Sequence, residues 1–565
     1  MMTHRLSRRR LVPWSFAVAA VIGSCNLRNP GTSLPPDELT YPNALALSPA
    51  LAPDAGHEFL YVANTNFDLR YNSASVHSYN LASLDRELDQ RHCLSVSYWP
   101  TSDGGTRYVV DNTHPAAGPL DGGLLDASAD SGPSVADAGA PLDGGTPAAD
   151  AGLIGLADDF ETAELSNPQA TVCGSVNEPD AGDCCFDTPE ERNAIRQDEH
   201  PIDSYGVGIG VSPDGKRVYV PVSSRNQLTY LDVADGKLSC GTEQGMCRRG
   251  PRIDGIDEVP DDEFPGTLTA MAVGRLEDII AQDVAPPSDA GVAPPSDAGT
   301  EPPSDASTAT YIATTHEFGG FSLFVDRNGS VDPVLESVGH NLPQRPRAVV
   351  ADASKHLLYV ASANSAAISR LSVRVDPDDD LDSKGGTREP GPRELFYQST
   401  QLVVSGVSQP LDTRDLTVDT RDSSRLYGMV RASQESVAFF KLDPNFRERG
   451  MRLIDAVRVG AGPSKIKFIT IGAGTIDARS FLLVSCYDSK TIYIIDPDTR
   501  RLVSVVRSLA GPFEMAFDEH RKLLHVADFR ASVLRVVDLA GLVDATKPPP
   551  RIVATIGLPH FKGVK

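Results

Sequence analysis

The chain has 565 residues, 40% of them hydrophobic, with 52 Lys+Arg against 76 Asp+Glu and a formal charge of −24. That is enough for several domains or one large repeat fold. The acidic excess argues against a nucleic-acid partner, which needs clustered Lys and Arg, and against electrostatic adhesion to anionic lipid; it fits an acidic, soluble surface.

The N-terminus carries Arg5 and the run Arg8-Arg9-Arg10, followed by a mostly apolar stretch from Leu11 to Ser24. That stretch is too short to span a bilayer and has the proportions of an export signal's apolar region. It ends Ile22-Gly23-Ser24-Cys25, which resembles the lipobox of bacterial lipoproteins. The resemblance implies that residues 1–24 are a signal peptide and that Cys25 is lipidated as the new N-terminus. The polar, Pro-rich segment 25–42 then becomes a tether. An ordinary cleaved signal with an incidental cysteine is the other reading. Ser7-Arg8-Arg9-Arg10-Leu11 resembles a twin-arginine export motif, and a generic basic region for the Sec route fits equally. The expected address is the bacterial cell envelope (outer membrane or periplasmic face), with membrane contact through the lipid anchor only.

Residues 43–557 repeat one grammar: apolar strand, turn, second strand, turn, third strand. It is clearest over 205–235, where Ser212-Pro213-Asp214-Gly215 supplies a tight turn between two strands. Seven central strands are read: Leu60-Tyr61-Val62-Ala63-Asn64, Val218-Tyr219-Val220, Thr310-Tyr311-Ile312-Ala313, Leu358-Tyr359-Val360-Ala361, Leu426-Tyr427-Gly428-Met429, Leu482-Leu483-Val484-Ser485 and Leu524-His525-Val526-Ala527. The closest copies lie about 40–50 residues apart, the length of one four-stranded blade. Pro42, Pro346, Pro463 and Pro512 open first strands, where no ladder donor is lost. The expectation is an all-β protein, a β-propeller of seven four-stranded blades, because radial packing buries both faces of each blade. Two degenerate copies leave six or eight open, and a β-sandwich with a separate domain is the competing fold.

Two low-complexity insertions interrupt the early copies, 112–157 and 284–307, the latter repeating Ala-Pro-Pro-Ser-Asp-Ala-Gly. They hold too little apolar surface to offset the entropy of ordering. Residues 376–393 form an acidic excursion, and 558–565 a C-terminal tail. Asp376, Asp378, Asp380 and Asp382 alternate as calcium ligands would, but the glycine and terminal glutamate of such a loop are missing.

Leu60-Tyr61-Val62-Ala63-Asn64 and Leu358-Tyr359-Val360-Ala361-Ser362 resemble the YVTN-type β-propellers, named for a Tyr-Val-x-Asn strand end; Ile494-Ile495-Asp496-Pro497-Asp498-Thr499 resembles that family's third-strand end and turn. Among the cysteines beyond Cys25, Cys240 and Cys247 bracket a short polar loop and are the best local disulfide pair. Up to three bridges fit an exported protein, and Cys486 fits a buried free thiol. No Cys-x-x-Cys spacing supports a metal site.

Propellers bind ligands at a channel mouth, where first strands and their loops converge. Arg347, Arg414, Asp415, Lys465 and Glu514 are the candidates there. They form either a funnel for a polar ligand or protein loop, or solvated rim charges. No haem-attachment, P-loop, zinc-protease or nucleophile-elbow motif occurs, Trp is found only at 14 and 99, and His316-Glu317 is a lone pair. No cofactor or metal is expected. These absences lean the reading away from an enzyme and toward a monomeric, lipid-anchored binding module. Its partner would be another envelope protein, a glycan or a small ligand. The alternative is a lactonase-like hydrolase, the activity of some relatives of this propeller type.

Overall fold

The structure is a computed structural model. It describes residues 38–50, 52, 55–65, 73–91, 93, 96–100, 106–110, 184–241, 245–252, 267–281, 308–327, 331–375, 395–405, 407, 409–431, 434–442 and 450–558. The signal and lipobox with Cys25, most of the tether, the insertions 112–157 and 284–307, the whole acidic excursion with Asp376, Asp378, Asp380 and Asp382, and the tail beyond Leu558 lie outside the described residues.

Apolar strands of period two alternate with Gly- and Asp-rich turns, and each run pairs antiparallel with the next. Gly215 closes one such turn at φ +75°, with its amide donating to the Ser212 carbonyl at 2.8 Å. Five separate sheets are built this way. Their innermost strands are Pro42–Leu47, Gly210–Val211, Leu268–Arg275, Pro463–Ile471 and Pro512–Asp518. The chain between Pro346 and Arg458 forms instead a single eight-stranded sheet. It folds back on itself, so that its two end strands, Pro346–Asp352 and Thr413–Val418, lie side by side. The expected seven separate four-stranded blades are therefore corrected to five sheets and one eight-stranded sheet. The physical reason is the long strand Leu395–Ser405. Its end overruns its antiparallel neighbour and pairs in parallel with a later strand, Val404 opposite Met451 and Ser405 opposite Arg452. Strand periodicity and turn spacing carry no sign of such edge-to-edge pairing.

The innermost strands pack against one another in a closed ring, Pro512–Asp518 returning to Pro42–Leu47. The core lies in the wedges between sheets. One wedge holds Ile469, Leu483 and Ile494 against Met515, Leu524 and Val537, all essentially buried. Each such side chain contributes about 1.5–3 kcal/mol.

At the join between first and last sheets a strap is added. Helix α1 (Leu81–Gln90) buries Leu84 and Leu88, and helix α2 (Pro189–Ile195) begins with a Thr188–Glu191 capping box. Between them Cys185–Phe186 adds a short parallel strand to the last sheet, Thr555 opposite Cys185 and Ile556 opposite Phe186. Cys93 is bonded to Cys184, and the Arg91 guanidinium lies 4.6 Å from the Phe186 ring centre. Phe186 is fully buried in a cluster drawn from both the first and the last sheet.

Candidate functional site

In each antiparallel sheet the start of the innermost strand faces the end of the second strand: Pro42 opposite Asn64, Pro463 opposite Cys486, Pro512 opposite Asp528. Strand starts and the loops after second strands therefore share one mouth of the ring. At this mouth the register breaks in six innermost strands: Pro42/Ala44, Leu268/Ala270, Pro346/Ala348, Thr413/Asp415, Pro463/Lys465 and Pro512/Met515. The residues left out of the ladder are Asn43, Thr269, Arg347, Arg414, Ser464, and Phe513 with Glu514. A bulge frees a residue from pairing and re-aims its side chain. Proline opens four of these strands and has no amide hydrogen to lose.

Three of the expected residues meet. Lys465 Nζ lies 3.9 Å from Asp415 Oδ1 and 3.6 Å from Glu514 Oε2. Lys467 Nζ, two residues on, is 3.3 Å from Glu514 Oε1. The backbone helps to hold both carboxylates: the Ile466 amide donates to Asp415 Oδ2 at 2.9 Å, and the Met515 amide to Glu514 Oε1 at 3.0 Å. Ser485 accepts the Lys465 amide and donates to the Phe513 carbonyl.

The two acids are tuned apart. Burial pushes the Asp415 carboxyl above its usual range despite the attraction of Lys465. Burial also works against the Glu514 carboxylate, but Lys467 and Lys465 together hold it below the usual range. Desolvation opposes the charge on Lys465, and Asp415 and Glu514 more than offset it. The site is thus a protonated amine between a strongly held carboxylate and a more basic one.

The other two expected residues stand apart from this triad. Arg414 pairs with Asp412, Nη2 to Oδ2 at 2.9 Å. Arg347 feels the like charges of Arg345 and Arg414 and the opposite charges of Glu317 and Asp412. Burial and the two like charges lower its proton affinity, and its buried Nε has no hydrogen-bond partner among the described residues.

Sequence reasoning missed Lys467 and Ser485. The signal for Lys467 was present, because Lys465-Ile466-Lys467 in a strand puts both lysines on one face. Nothing local announced Ser485. The His316 ring is buried, with Nε2 2.9 Å from Ser322 Oγ, and Glu317 accepts the Thr267 hydroxyl at 3.2 Å. Cys240 and Cys247 are bonded, Cys185 is disulfide-bonded as well, and Cys486 is free and buried. A cavity of about 160 Å³ lies at the opposite end of the strands, beside Arg425, Tyr427 and Asp498. Its Arg425 is tied to Asp498 at 2.7 Å, an ion pair within the wall. Among the described residues no group of three or more His, Cys, Asp or Glu is placed to hold a metal.

No protein-family model matches the chain, and no curated protein matches it in sequence. The ring of sheets is itself a β-propeller-like arrangement, and many solved structures are similar to it in fold. The periplasmic gluconolactonase of Pseudomonas aeruginosa is 12% identical with a TM-score of 0.38, covering 82% of this chain and 84% of its own. Two proteins provisionally described as 6-phosphogluconolactonases, from Bacteroides uniformis and Bacteroides fragilis, are each 13% identical. Their TM-scores are 0.37 and 0.36; each match covers 82% of this chain, with 83% and 82% of their own. At these identities the likeness reaches no individual residue. The expectation that leaned away from an enzyme is not upheld: structures described as lactonases recur among the similar ones. That expectation rested on the absence of contiguous motifs. Asp415, Lys465 and Glu514 come from three separate innermost strands, so no contiguous motif could announce them.

Proposed function

We propose that this chain is a lactonase-like hydrolase of the cell envelope, acting at the ring mouth that carries Asp415, Lys465, Lys467 and Glu514. One observation carries the reading: an ammonium lies between two carboxylates whose proton affinities are driven in opposite directions. In this scheme water attacks the carbonyl carbon of a lactone or ester and Asp415 takes the proton. Lys465 stabilises the oxyanion. The acyl carbon–oxygen bond then breaks, the leaving alkoxide recovers the proton, and the hydroxy acid departs. Glu514 keeps Lys465 and Lys467 charged and in place.

A panel of lactones and esters tests the scheme on the purified mature protein. Asp415→Asn and Lys465→Met are expected to lower kcat/KM by about 10²- to 10⁴-fold, and Arg347→Ala and Arg414→Ala to raise KM for polar substrates. Activity indifferent to Asp415→Asn and Lys465→Met would sink it.

The envelope address rests on the export-signal pattern and agrees with the Cys93–Cys184 and Cys240–Cys247 bridges, since disulfides persist in oxidising compartments. Residues 1–24 as signal, Cys25 as lipidation site, 25–42 as tether and the YVTN kinship belong to the same proposal. Cys25→Ser is expected to move the protein from the membrane fraction to the soluble one, and unchanged membrane retention would refute the anchor.

A further inference from the structure

The cavity at the far end of the strands from the mouth has no part in the scheme above. It lies between the eight-stranded sheet and the next sheet in the ring. The strands Arg425–Val430, Ser436–Leu442 and Met451–Arg458 wall it on one side and the turn 496–500 on the other. Its volume of about 160 Å³ is close to that of an apolar cavity able to take one benzene, roughly 150 Å³.

The apolar part of the wall is held firmly. Tyr427 and Phe439 face each other across strands, ring centres 5.2 Å apart and nearly perpendicular, and the Tyr427 hydroxyl donates to the buried Asp419 carboxylate at 2.8 Å. Pro497, buried, comes from the neighbouring sheet's turn. Ile454 completes this wall. A bulge leaves it out of the ladder, since Asp455 is opposite Phe439 and Leu453 opposite Phe440, and it is 44% exposed. Bulges re-aim side chains, and this one brings an isoleucine to the cavity instead of the core.

The polar part is cationic, in a chain whose net charge is −24. Arg425, Lys441 and Arg500 line the cavity against one carboxylate, Asp498. That carboxylate is already taken, by Arg421 at 2.9 Å and Arg425 at 2.7 Å. Arg500 gives one nitrogen to Asp455 at 3.1 Å. Lys441 has neither a hydrogen bond nor an ion pair among the described residues. The register sharpens the imbalance: Arg425 is directly opposite Lys441, and Lys441 directly opposite Arg452. Like charges so placed cost stability, and an anion seated beside them recovers it.

We infer that this cavity is a binding site for a small carboxylic acid built on one six-membered ring. The ring packs on Phe439, Ile454 and Pro497, and the carboxylate meets Lys441 and Arg500. Such a ligand touches both sheets and so ties them together at this wedge. The site is separate from Asp415 and Lys465 and stands whether or not the mouth is hydrolytic.

Calorimetry on the mature protein with benzoate, cyclohexanecarboxylate, acetate and benzamide tests it. At least one ring acid is expected to bind about tenfold or more tightly than acetate, which lacks the ring. Benzamide, which lacks the charge, is expected to bind more weakly than the ring acids. Which ring acid binds tighter separates an aromatic from a saturated ligand. Lys441→Gln is expected to weaken the ring acid about two- to fivefold. Ile454→Trp, which fills the cavity from an exposed position, is expected to abolish its binding. Circular dichroism melts report whether the variants fold, and Arg500→Gln repeats the charge test if Lys441→Gln does not. Absence of ring-acid binding, benzamide binding as tight as the acids, or ring-acid binding indifferent to the folded variants overturns the site.

Discussion

Asp415 shows how one buried side chain can serve chemistry at the expense of stability. Its carboxyl is raised by burial, so the folded state holds its proton more tightly than the unfolded chain does. Such a group weakens the fold at neutral pH, and the loss is recovered as pH falls through the raised value. Asp415→Asn keeps an oxygen for the Ile466 amide and removes the charge. It is expected to raise Tm at pH 7, with the gain shrinking toward acid pH while hydrolysis is lost. In the active protein the acid limb of kcat/KM is expected above the ordinary aspartate range. Lys465→Met removes the cation that pulls Asp415 down, so the limb of its residual activity should move to still higher pH. A pH–rate series on both proteins checks the sign.

At the scale of strands, the Tyr-Val motif turns out to be structural. Tyr61, Tyr219, Tyr311, Tyr359 and Tyr427 occupy the same place in second strands and are 0–2% exposed. Two of them donate to buried aspartates, Tyr219 to Asp326 and Tyr427 to Asp419. The repeat fills the sixth and seventh of these places with Leu483 and His525. His525 is fully buried, and neither ring nitrogen has a hydrogen-bond partner among the described residues. Burial lowers its pKa to about 4, with Asp518 opposing and Arg521 and His57 assisting. The unfolded chain therefore binds a proton that the folded one refuses. Stability falls by up to about 1.4 kcal/mol per pH unit between the ordinary histidine value and pH 4. His525→Leu, borrowing the residue of the neighbouring sheet, is expected to flatten that part of the Tm–pH curve; an unchanged slope would show that the acid sensitivity lies elsewhere.

The same strands mark what could be read in advance. Apolar alternation and turn residues announce strand existence and order because they are local. The triad of Asp415, Lys465 and Glu514 was named residue by residue because strand entries at a ring must converge. Its tuning was not legible, since it depends on distances between three sheets. The overrun of Leu395–Ser405 onto Met451–Arg458 and the strap at Cys185–Phe186 were hidden for a related reason: each joins segments far apart in the chain.

At the scale of the whole molecule, the four main strands of the first sheet and the four of the last come, among the described residues, from opposite ends of the ring-forming chain. The strap holds the seam between those sheets, through the Cys93–Cys184 bond, two parallel pairings and the buried Phe186. A disulfide enclosing this long a loop contributes about 2–4 kcal/mol, and a buried phenylalanine about 3–5 kcal/mol on truncation. Cys93→Ser with Cys184→Ser, and separately Phe186→Ala, are expected to lower Tm by several degrees. Protease sites at the seam should open first, and a seam no more susceptible than the other wedges would show that the inter-sheet core alone closes the ring.

The bulges carry a consequence for descent. Asn43, Thr269, Arg347, Arg414, Ser464 and Glu514 are skipped by the hydrogen-bond ladder. Exchanging one of them alters the mouth without shifting the register of the strand behind it. Mutations there are free to drift one at a time, so chemistry and specificity can diverge among descendants whose scaffold stays the same.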